Sequence, residues 1–166
     1  MQGPDVSLRH LQRALTMELT TVNTYLWQER QLDDWGIDRL AARMRAETEE
    51  ERHHAALFLT RILFLDGEPD LQTLDRIEKP TSVRQIFDTQ LRMELEAREV
   101  YAAAANDCQQ AGDLGSFELF MTILKEEEDG TLQRLFTTPT ARATVLGGKF
   151  AAIFLMVIVQ VCVVMI

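Results

Sequence analysis

The sequence predicts an all-α protein: a four-helix bundle with a long crossover between its second and third helices, followed by an apolar C-terminal helix. Apolar residues recur at three- and four-residue steps through four long segments. No alternating run of strand length occurs before residue 140, and no repeat at a solenoid period occurs. We expect residues 1–136 to form the bundle, residues 137–149 a linker and residues 150–166 the terminal helix.

The first two helices are predicted from their apolar periodicity and from the breaks that follow them. The first spans about residues 7–35, and Asp5 or Ser7 can cap its start. The second spans about residues 38–66. It ends at Gly67, where glycine permits a left-handed cap and a nearby proline prevents the helix from continuing.

The connection to the third helix is long. Residues 70–81 are mixed in character and are flanked by two prolines, which favours a crossover over a tight hairpin. Ser82 begins the third helix, which continues to about residue 111. The fourth helix spans about residues 114–135, so the predicted bundle has four helices of similar length.

The composition restricts the classes of partner. A net charge of −9 and a pI near 4.8 argue against nucleic-acid binding, because phosphates require a basic surface. An acidic surface suits cations. Only two cysteines occur, Cys108 and Cys162, so no disulfide framework is predicted and a reducing compartment is the default. The N-terminal residues lack the basic start and apolar run of a secretory signal, which indicates a cytoplasm-facing bundle.

The C-terminal tail differs from the rest of the chain. Residues 150–166 carry no charge, and Gln160 is their only strongly polar side chain. As a helix they would extend about 25 Å, and residues 145–149 would extend them to the thickness of a bilayer core, about 30 Å. Lys149 and two arginines before it lie between the bundle and the apolar segment. Positive charge at that end of a membrane helix is typical of its cytoplasmic side. We therefore predict a membrane anchor in residues 145–166; the alternatives are a buried fifth helix of an oligomer and an apolar strand.

Five side chains of types that can coordinate a metal lie in register with the apolar faces of the helices. Glu18 belongs to the first helix, Glu51 and His54 to the second, Glu94 to the third and Glu127 to the fourth. Glutamate normally avoids such positions. A spacing of three residues places Glu51 and His54 on one helix face, where a carboxylate and an imidazole can bind one metal.

This set covers most of a di-iron site. Helix-bundle di-iron proteins use a Glu from each of two helices and a Glu-x-x-His pair from each of the other two. The fourth helix here has Gly130 three residues after its glutamate, so one histidine is missing. Oxygen and imidazole donors suit iron or manganese, with zinc as a competitor.

Three segments carry a resemblance to a known family. Residues 33–36 (DDWG), 61–72 (RILFLDGEPDLQ) and 123–128 (ILKEEE) resemble bacterioferritin, and the similarity extends over about residues 7–135. The resemblance implies a ferritin-like fold for the bundle. It also implies that Glu18 and Glu94 are terminal ligands, that Glu51 and Glu127 bridge two irons and that His54 binds one of them.

The resemblance further implies an activity and its partners. The expected activity is oxidation of Fe(II) by oxygen or peroxide and storage of ferric mineral in a cage of many subunits. Tyr25 matches a catalytic aromatic residue beside the ferroxidase centre. Gly130 stands in place of the second histidine, which would leave one iron weakly held. Arg52 stands in place of the methionine that binds haem, and a guanidinium has no lone pair to offer, so no haem is expected there.

The same departures support an alternative. Loss of a haem ligand and of a metal ligand, with a gained apolar tail, also fits a non-catalytic ferritin-like scaffold or an accessory subunit of a membrane complex. A mixed cage with intact relatives is a third interpretation. In each case the chain is expected to form a homo- or hetero-oligomer.

Overall fold

The computed structural model describes residues 3–137, with side chains as far as Glu128, and this part of the chain contains four helices and no strand. The helices are α1 (Asp5–Asp34), α2 (Asp38–Phe64), α3 (Val83–Gln110) and α4 (Leu114–Thr137). Their order and lengths confirm the predicted all-α fold with a long crossover between the second and third helices. Residues up to Leu124 form one compact unit, and Lys125 begins a second.

Two helices end at glycines with left-handed backbone. Gly36 has φ +73° after α1, and Gly112 has φ +77° after α3. In each case the next amide donates to a carbonyl five residues earlier. Ile37 N donates to Leu32 O at 2.9 Å after α1, and Asp113 N donates to Cys108 O at 2.9 Å after α3. This is the Schellman arrangement, which satisfies the last carbonyls of a helix. A short turn at residues 35–37 therefore separates α1 from α2.

The end of α2 differs from the prediction. The left-handed residue is Asp66, with φ +57°, whereas Gly67 does not have a positive φ. The Gly67 amide donates to Ile62 O at 2.9 Å and completes the same motif. Glycine is needed at position 67 for space, because a Cβ there would lie 2.6 Å from Leu8 Cδ2 and 3.1 Å from Ile62 O.

The two predicted helix starts have different outcomes. α1 follows Pro4 without any side-chain cap, so the prediction that Asp5 or Ser7 caps it is wrong. Ser7 is instead completely buried. Ser82 caps α3 as predicted, since its side-chain oxygen accepts a hydrogen bond from the Gln85 amide at 3.1 Å.

The apolar faces of the helices meet in two clusters of buried residues. The larger cluster contains an aromatic trio from α2, α3 and α4: Phe58, Tyr101 and Phe120, with ring centroids 5.2 to 5.7 Å apart. The smaller cluster centres on Tyr25 and Met44. The helices are therefore held together by interdigitated side chains around the positions that carry the predicted ligands.

The crossover is attached to α1 by polar side chains. Gln12 makes two hydrogen bonds of 2.9 Å with the backbone of Asp70. Further along, the Asp75 amide donates to Thr20 Oγ1 at 2.9 Å, and its carboxylate accepts from Arg13 at 2.6 Å. The segment thus follows a defined path along α1 to the start of α3.

Between residues 3 and 137, no helix combines the length and the apolar content that a membrane span requires. The predicted linker and the predicted terminal helix at residues 150–166 lie outside the described residues, apart from Thr137.

Candidate metal centre

Glu51 and His54 lie side by side on the buried face of α2. Their separation of three residues brings the His54 Nδ1 atom within 3.3 Å of Glu51 Oε2. Both residues are almost completely buried, with 6% and 7% of their surface exposed. Local helix geometry alone explains this pair, since residues three apart share a face.

α1 supplies a third donor. Glu18 is 3% exposed, and its Oε1 atom lies 4.0 Å from the same His54 nitrogen. One donor atom from each of Glu18, Glu51 and His54 lies within 4.8 Å of the other two. Two carboxylates and an imidazole therefore converge from two helices in a buried space.

The distances from His54 Nδ1 to the two carboxylates fit a shared metal ion. Bonds from a first-row metal to oxygen or nitrogen are about 2.1 Å, so two donors on one ion lie at most about 4.2 Å apart. The distances of 3.3 Å and 4.0 Å to His54 Nδ1 fall within that limit. Burying two carboxylates is unfavourable unless positive charge or hydrogen bonds compensate it, and a cation would supply that charge. The donor set suits iron, manganese or zinc.

A residue from α3 contacts the same group. The Tyr101 hydroxyl donates a hydrogen bond of 2.6 Å to Glu18 Oε1, and Tyr101 is 1% exposed. This contact was not predicted from the sequence. A signal was present, because Tyr101 follows Glu94 by seven residues, or two helical turns, and so shares its face.

The other predicted site residues lie as follows. Glu94 is half-buried on α3 and is not part of the three-residue group, within the part of the chain whose side chains are described. Glu127 is half-buried on α4, in the unit that begins at Lys125. Tyr25 is completely buried in the smaller apolar cluster. Their roles as terminal ligand, bridging ligand and catalytic residue remain predictions.

Neighbouring residues on α2 point outward. His53 and Arg52 are exposed, and the Arg52 guanidinium pairs with Glu49 at 3.2 Å. His54 and His53 thus form a natural matched pair, one buried beside two carboxylates and one exposed.

Two further glutamates are buried that were not predicted to be so from the sequence. Glu29 is 2% exposed and its carboxylate is bound by Arg30 at 2.5 Å and Arg45 at 2.7 Å. Glu47 is 8% exposed and accepts from Arg43 at 2.9 Å. An arginine four residues before a glutamate, as in the second pair, is a sequence signal for this kind of ion pair. Arginines neutralise these carboxylates.

Comparisons with known proteins agree with the four-helix fold. The family model described as a ferritin-like domain matches residues 8–134, which include α2, α3 and most of α1 and α4. Among characterised relatives, a bacterioferritin from Brucella melitensis is 38% identical over 128 residues, covering 77% of this chain and 80% of the relative. A bacterioferritin from Rhodobacter capsulatus is 34% identical over 128 residues, with the same coverage.

Solved structures show the same relationship. Mycobacterium tuberculosis bacterioferritin BfrA has a TM-score of 0.75 and 34% identity, covering 78% of this chain and 81% of its own. A Rhodobacter capsulatus bacterioferritin structure, described with a metal-free dinuclear site and haem iron, has a TM-score of 0.78 and 33% identity. It covers 90% of this chain and 92% of its own. The chain therefore belongs to the bacterioferritin family of ferritin-like proteins.

Proposed function

We propose that this protein binds Fe(II) at the group formed by Glu18, Glu51 and His54, and that it oxidises, stores or otherwise handles iron. One observation carries the proposal: three buried donor atoms from two helices lie within 4.8 Å of one another. The membership in the bacterioferritin family supports iron as the metal.

The proposed roles follow from charge and donor type. The carboxylates of Glu18 and Glu51 attract the divalent cation, and the imidazole of His54 fixes one direction of approach. Burial keeps competing water away, which strengthens each electrostatic contact. Fe(II) is the substrate, and oxygen or peroxide supplies the oxidising chemistry. Glu94, Glu127 and Tyr25 are proposed to complete the ferroxidase centre as further ligands and a nearby aromatic residue.

The position for a second iron in the proposed centre lacks one ligand. Gly130 offers no donor at the position where the di-iron pattern has a histidine. We expect one iron to be bound tightly and a second weakly, which favours the passage of iron through the site over a permanent cofactor. Arg52 cannot donate an electron pair to iron, so haem is not expected at position 52.

Anaerobic titration of the full-length protein with Co(II), followed by its visible absorption, tests the site. The wild type is expected to bind one ion tightly per chain. His54→Ala should weaken this binding by at least about tenfold, because it removes a ligand. His53→Ala is the matched control, since it removes an exposed imidazole from the adjacent position, and should bind as the wild type does.

Two results would count against the proposal. Absence of Co(II) and Fe(II) binding by the wild type would favour the non-catalytic scaffold. Equal weakening by His54→Ala and His53→Ala would show that the ion binds elsewhere. Stopped-flow measurement of Fe(II) loss in air adds the catalytic test, and a rate equal to that of buffer would reject the ferroxidase activity.

We also propose that residues 145–166 attach the bundle to a membrane, with the bundle on the cytoplasmic side. The support is the absence of charge in residues 150–166 and the positive flank that precedes them. Fractionation of cells should find the full chain in membranes and a version lacking residues 145–166 in the soluble pool. Recovery of both versions in the soluble pool would contradict the anchor.

A further inference from the structure

Tyr101 provides an unusual contact to the proposed metal group. Its hydroxyl donates to Glu18 Oε1 at 2.6 Å, from a different helix. A distance of about 2.5–2.7 Å is typical of a hydroxyl bound to an ionised carboxylate. Both residues are buried, with 1% and 3% of their surface exposed. A hydrogen bond in this setting restricts the carboxylate more strongly than one at the surface.

The ring of Tyr101 is itself held in place. Its centroid lies 5.5 Å from that of Phe58 and 5.7 Å from that of Phe120, with interplanar angles of 57° and 47°. Tilted contacts of this kind are favourable for aromatic pairs. The ring packs against one aromatic ring of α2 and one of α4, and this packing holds the hydroxyl beside Glu18.

Glu18 needs such support more than Glu51 does. Glu51 and His54 share α2, and their helix holds them 3.3 Å apart. Glu18 reaches the same imidazole from α1, over 4.0 Å. Rotation of its side chain would move the carboxylate away from His54, and the bond from Tyr101 opposes that rotation.

We propose that Tyr101 is a positioning residue: it orients the Glu18 carboxylate for metal binding and thereby couples the affinity of the site to the packing of α3. This inference rests on the proposed function, because it requires that Glu18 binds the metal. The hydroxyl also offsets part of the desolvation of Glu18 when no metal is bound.

The test uses Tyr101→Phe, which removes the hydroxyl and keeps the ring in the aromatic trio. Loss of a residue that orients a ligand typically weakens metal binding by about 10- to 100-fold, so the dissociation constant for Co(II) should rise by that factor. The visible spectrum of bound Co(II) should also change, because the geometry of the carboxylate changes. A purely structural role would lower the melting temperature and leave the spectrum unaltered.

Cys108→Ala is the control for general destabilisation. Cys108 lies on the same helix two turns further on, is completely buried in the same apolar cluster and belongs to no part of the metal group. We expect it to lower stability and to leave Co(II) affinity within twofold of the wild type.

A double-mutant cycle with Glu18→Ala shows whether Tyr101 influences metal binding through Glu18. If Tyr101 acts through Glu18, then Tyr101→Phe should change the affinity of the Glu18→Ala protein by less than twofold. An undiminished effect in that background would overturn the inference. So would a charge-transfer band on ferric loading that Tyr101→Phe abolishes, because it would make Tyr101 a direct ligand.

The failures of the two proposals can be distinguished. If the wild type binds no Co(II), the metal site itself is rejected. If the wild type binds and Tyr101→Phe binds with the same affinity and spectrum, the metal site stands and only the positioning role is rejected.

Discussion

Buried glutamates in this protein fall into two groups, according to what compensates their charge. Glu29 and Glu47 are held by arginines at 2.5 to 2.9 Å. Glu18 is instead held by a tyrosine hydroxyl, and Glu51 lies beside an imidazole. Guanidinium groups, which stay charged, compensate the first group in the absence of any ligand, whereas the second group shares an imidazole that is itself a metal ligand. That difference favours the second group as the place where a cation binds.

The missing donor at position 130 can be restored. Gly130→His would recreate the Glu-x-x-His spacing with Glu127. We expect the number of tightly bound Co(II) ions per chain to rise from one to two in an anaerobic titration. Gly130→Ala is the control, because it also raises helix propensity, by about 1 kcal/mol, without adding a ligand. A stoichiometry of one in both variants would contradict the proposed second site.

Asp113 stabilises the end of the bundle where α3 joins α4. Its carboxylate accepts from Arg61 and from the Ser116 amide, the latter at 3.1 Å. Burial alone would raise the pKa of the Asp113 carboxyl, but the hydrogen bonds from Ser116 and Arg61 outweigh burial and lower the pKa below its usual value. A depressed pKa means that the ionised form stabilises the folded state above the ordinary pKa, and that this stability is lost as the pH falls.

Asp113→Asn should therefore destabilise the protein in a pH-dependent way. At pH 7 we expect the free energy of unfolding to fall by about 1–3 kcal/mol, the value of hydrogen bonds to a charged group. The difference from the wild type should shrink below about pH 4, where the unfolded carboxyl becomes protonated. Denaturant unfolding at both pH values measures this. Glu118→Gln, at an exposed position on α4, should show no such dependence; a constant difference for Asp113→Asn would refute the argument.

At the scale of elements, the helix ends set the alignment of the ligands. α1 and α2 are joined by a short turn at Gly36, so their buried faces meet along most of their length. α2 ends at Phe64, and the residues of the turn that follows, Asp66 and Gly67, bring the chain close to Leu8 of α1. Glu18 and His54 both lie on the paired helices between these two points.

Gly67→Ala tests the close approach. An added Cβ would lie 2.6 Å from Leu8 Cδ2 and 2.9 Å from Ile62 Cγ2. Overpacking of this kind destabilises a protein by about 1–3 kcal/mol, and thermal or denaturant unfolding would measure it. Glu68→Ala, at the exposed next position, should remain within about 0.5 kcal/mol of the wild type. Equal stability of the Gly67→Ala and Glu68→Ala variants would show that α1 moves to accommodate the added Cβ without a cost in stability.

At the scale of the whole molecule, α3 carries an apolar stripe on its exposed side. Phe87, Leu91 and Leu95 follow one another at four-residue steps and are 48%, 57% and 52% exposed. Soluble proteins seldom leave large contiguous apolar patches in water unless another surface covers them. We expect this stripe to take part in self-association of the chain.

Leu91→Arg should then reduce the mass of the assembly in solution. A charge at the centre of an apolar contact must be desolvated, which disfavours association. Light scattering after size exclusion, in detergent for the full chain, gives the mass. Glu99→Arg, at an exposed position on the same helix, is the matched control. An unchanged mass for Leu91→Arg would place the contact between subunits on another surface.

The sequence by itself determined the four helices, the crossover and the pairing of Glu51 with His54. Each depends on neighbours along the chain: apolar periodicity, turn residues and a three-residue spacing on one helix face. It also singled out Glu18 as a buried carboxylate, and the structure places that side chain 4.0 Å from His54.

Only the tertiary structure decided which distant groups meet. The bond from Tyr101 to Glu18 joins residues 83 positions apart, and the arginines on Glu29 include one that lies 16 positions away. The close approach of Leu8 to Gly67 is a contact of the same kind, since a Cβ at Gly67 would lie 2.6 Å from Leu8 Cδ2. Such contacts depend on how helices pack in three dimensions, and the periodicity of a single helix carries no information about the side chains that face it.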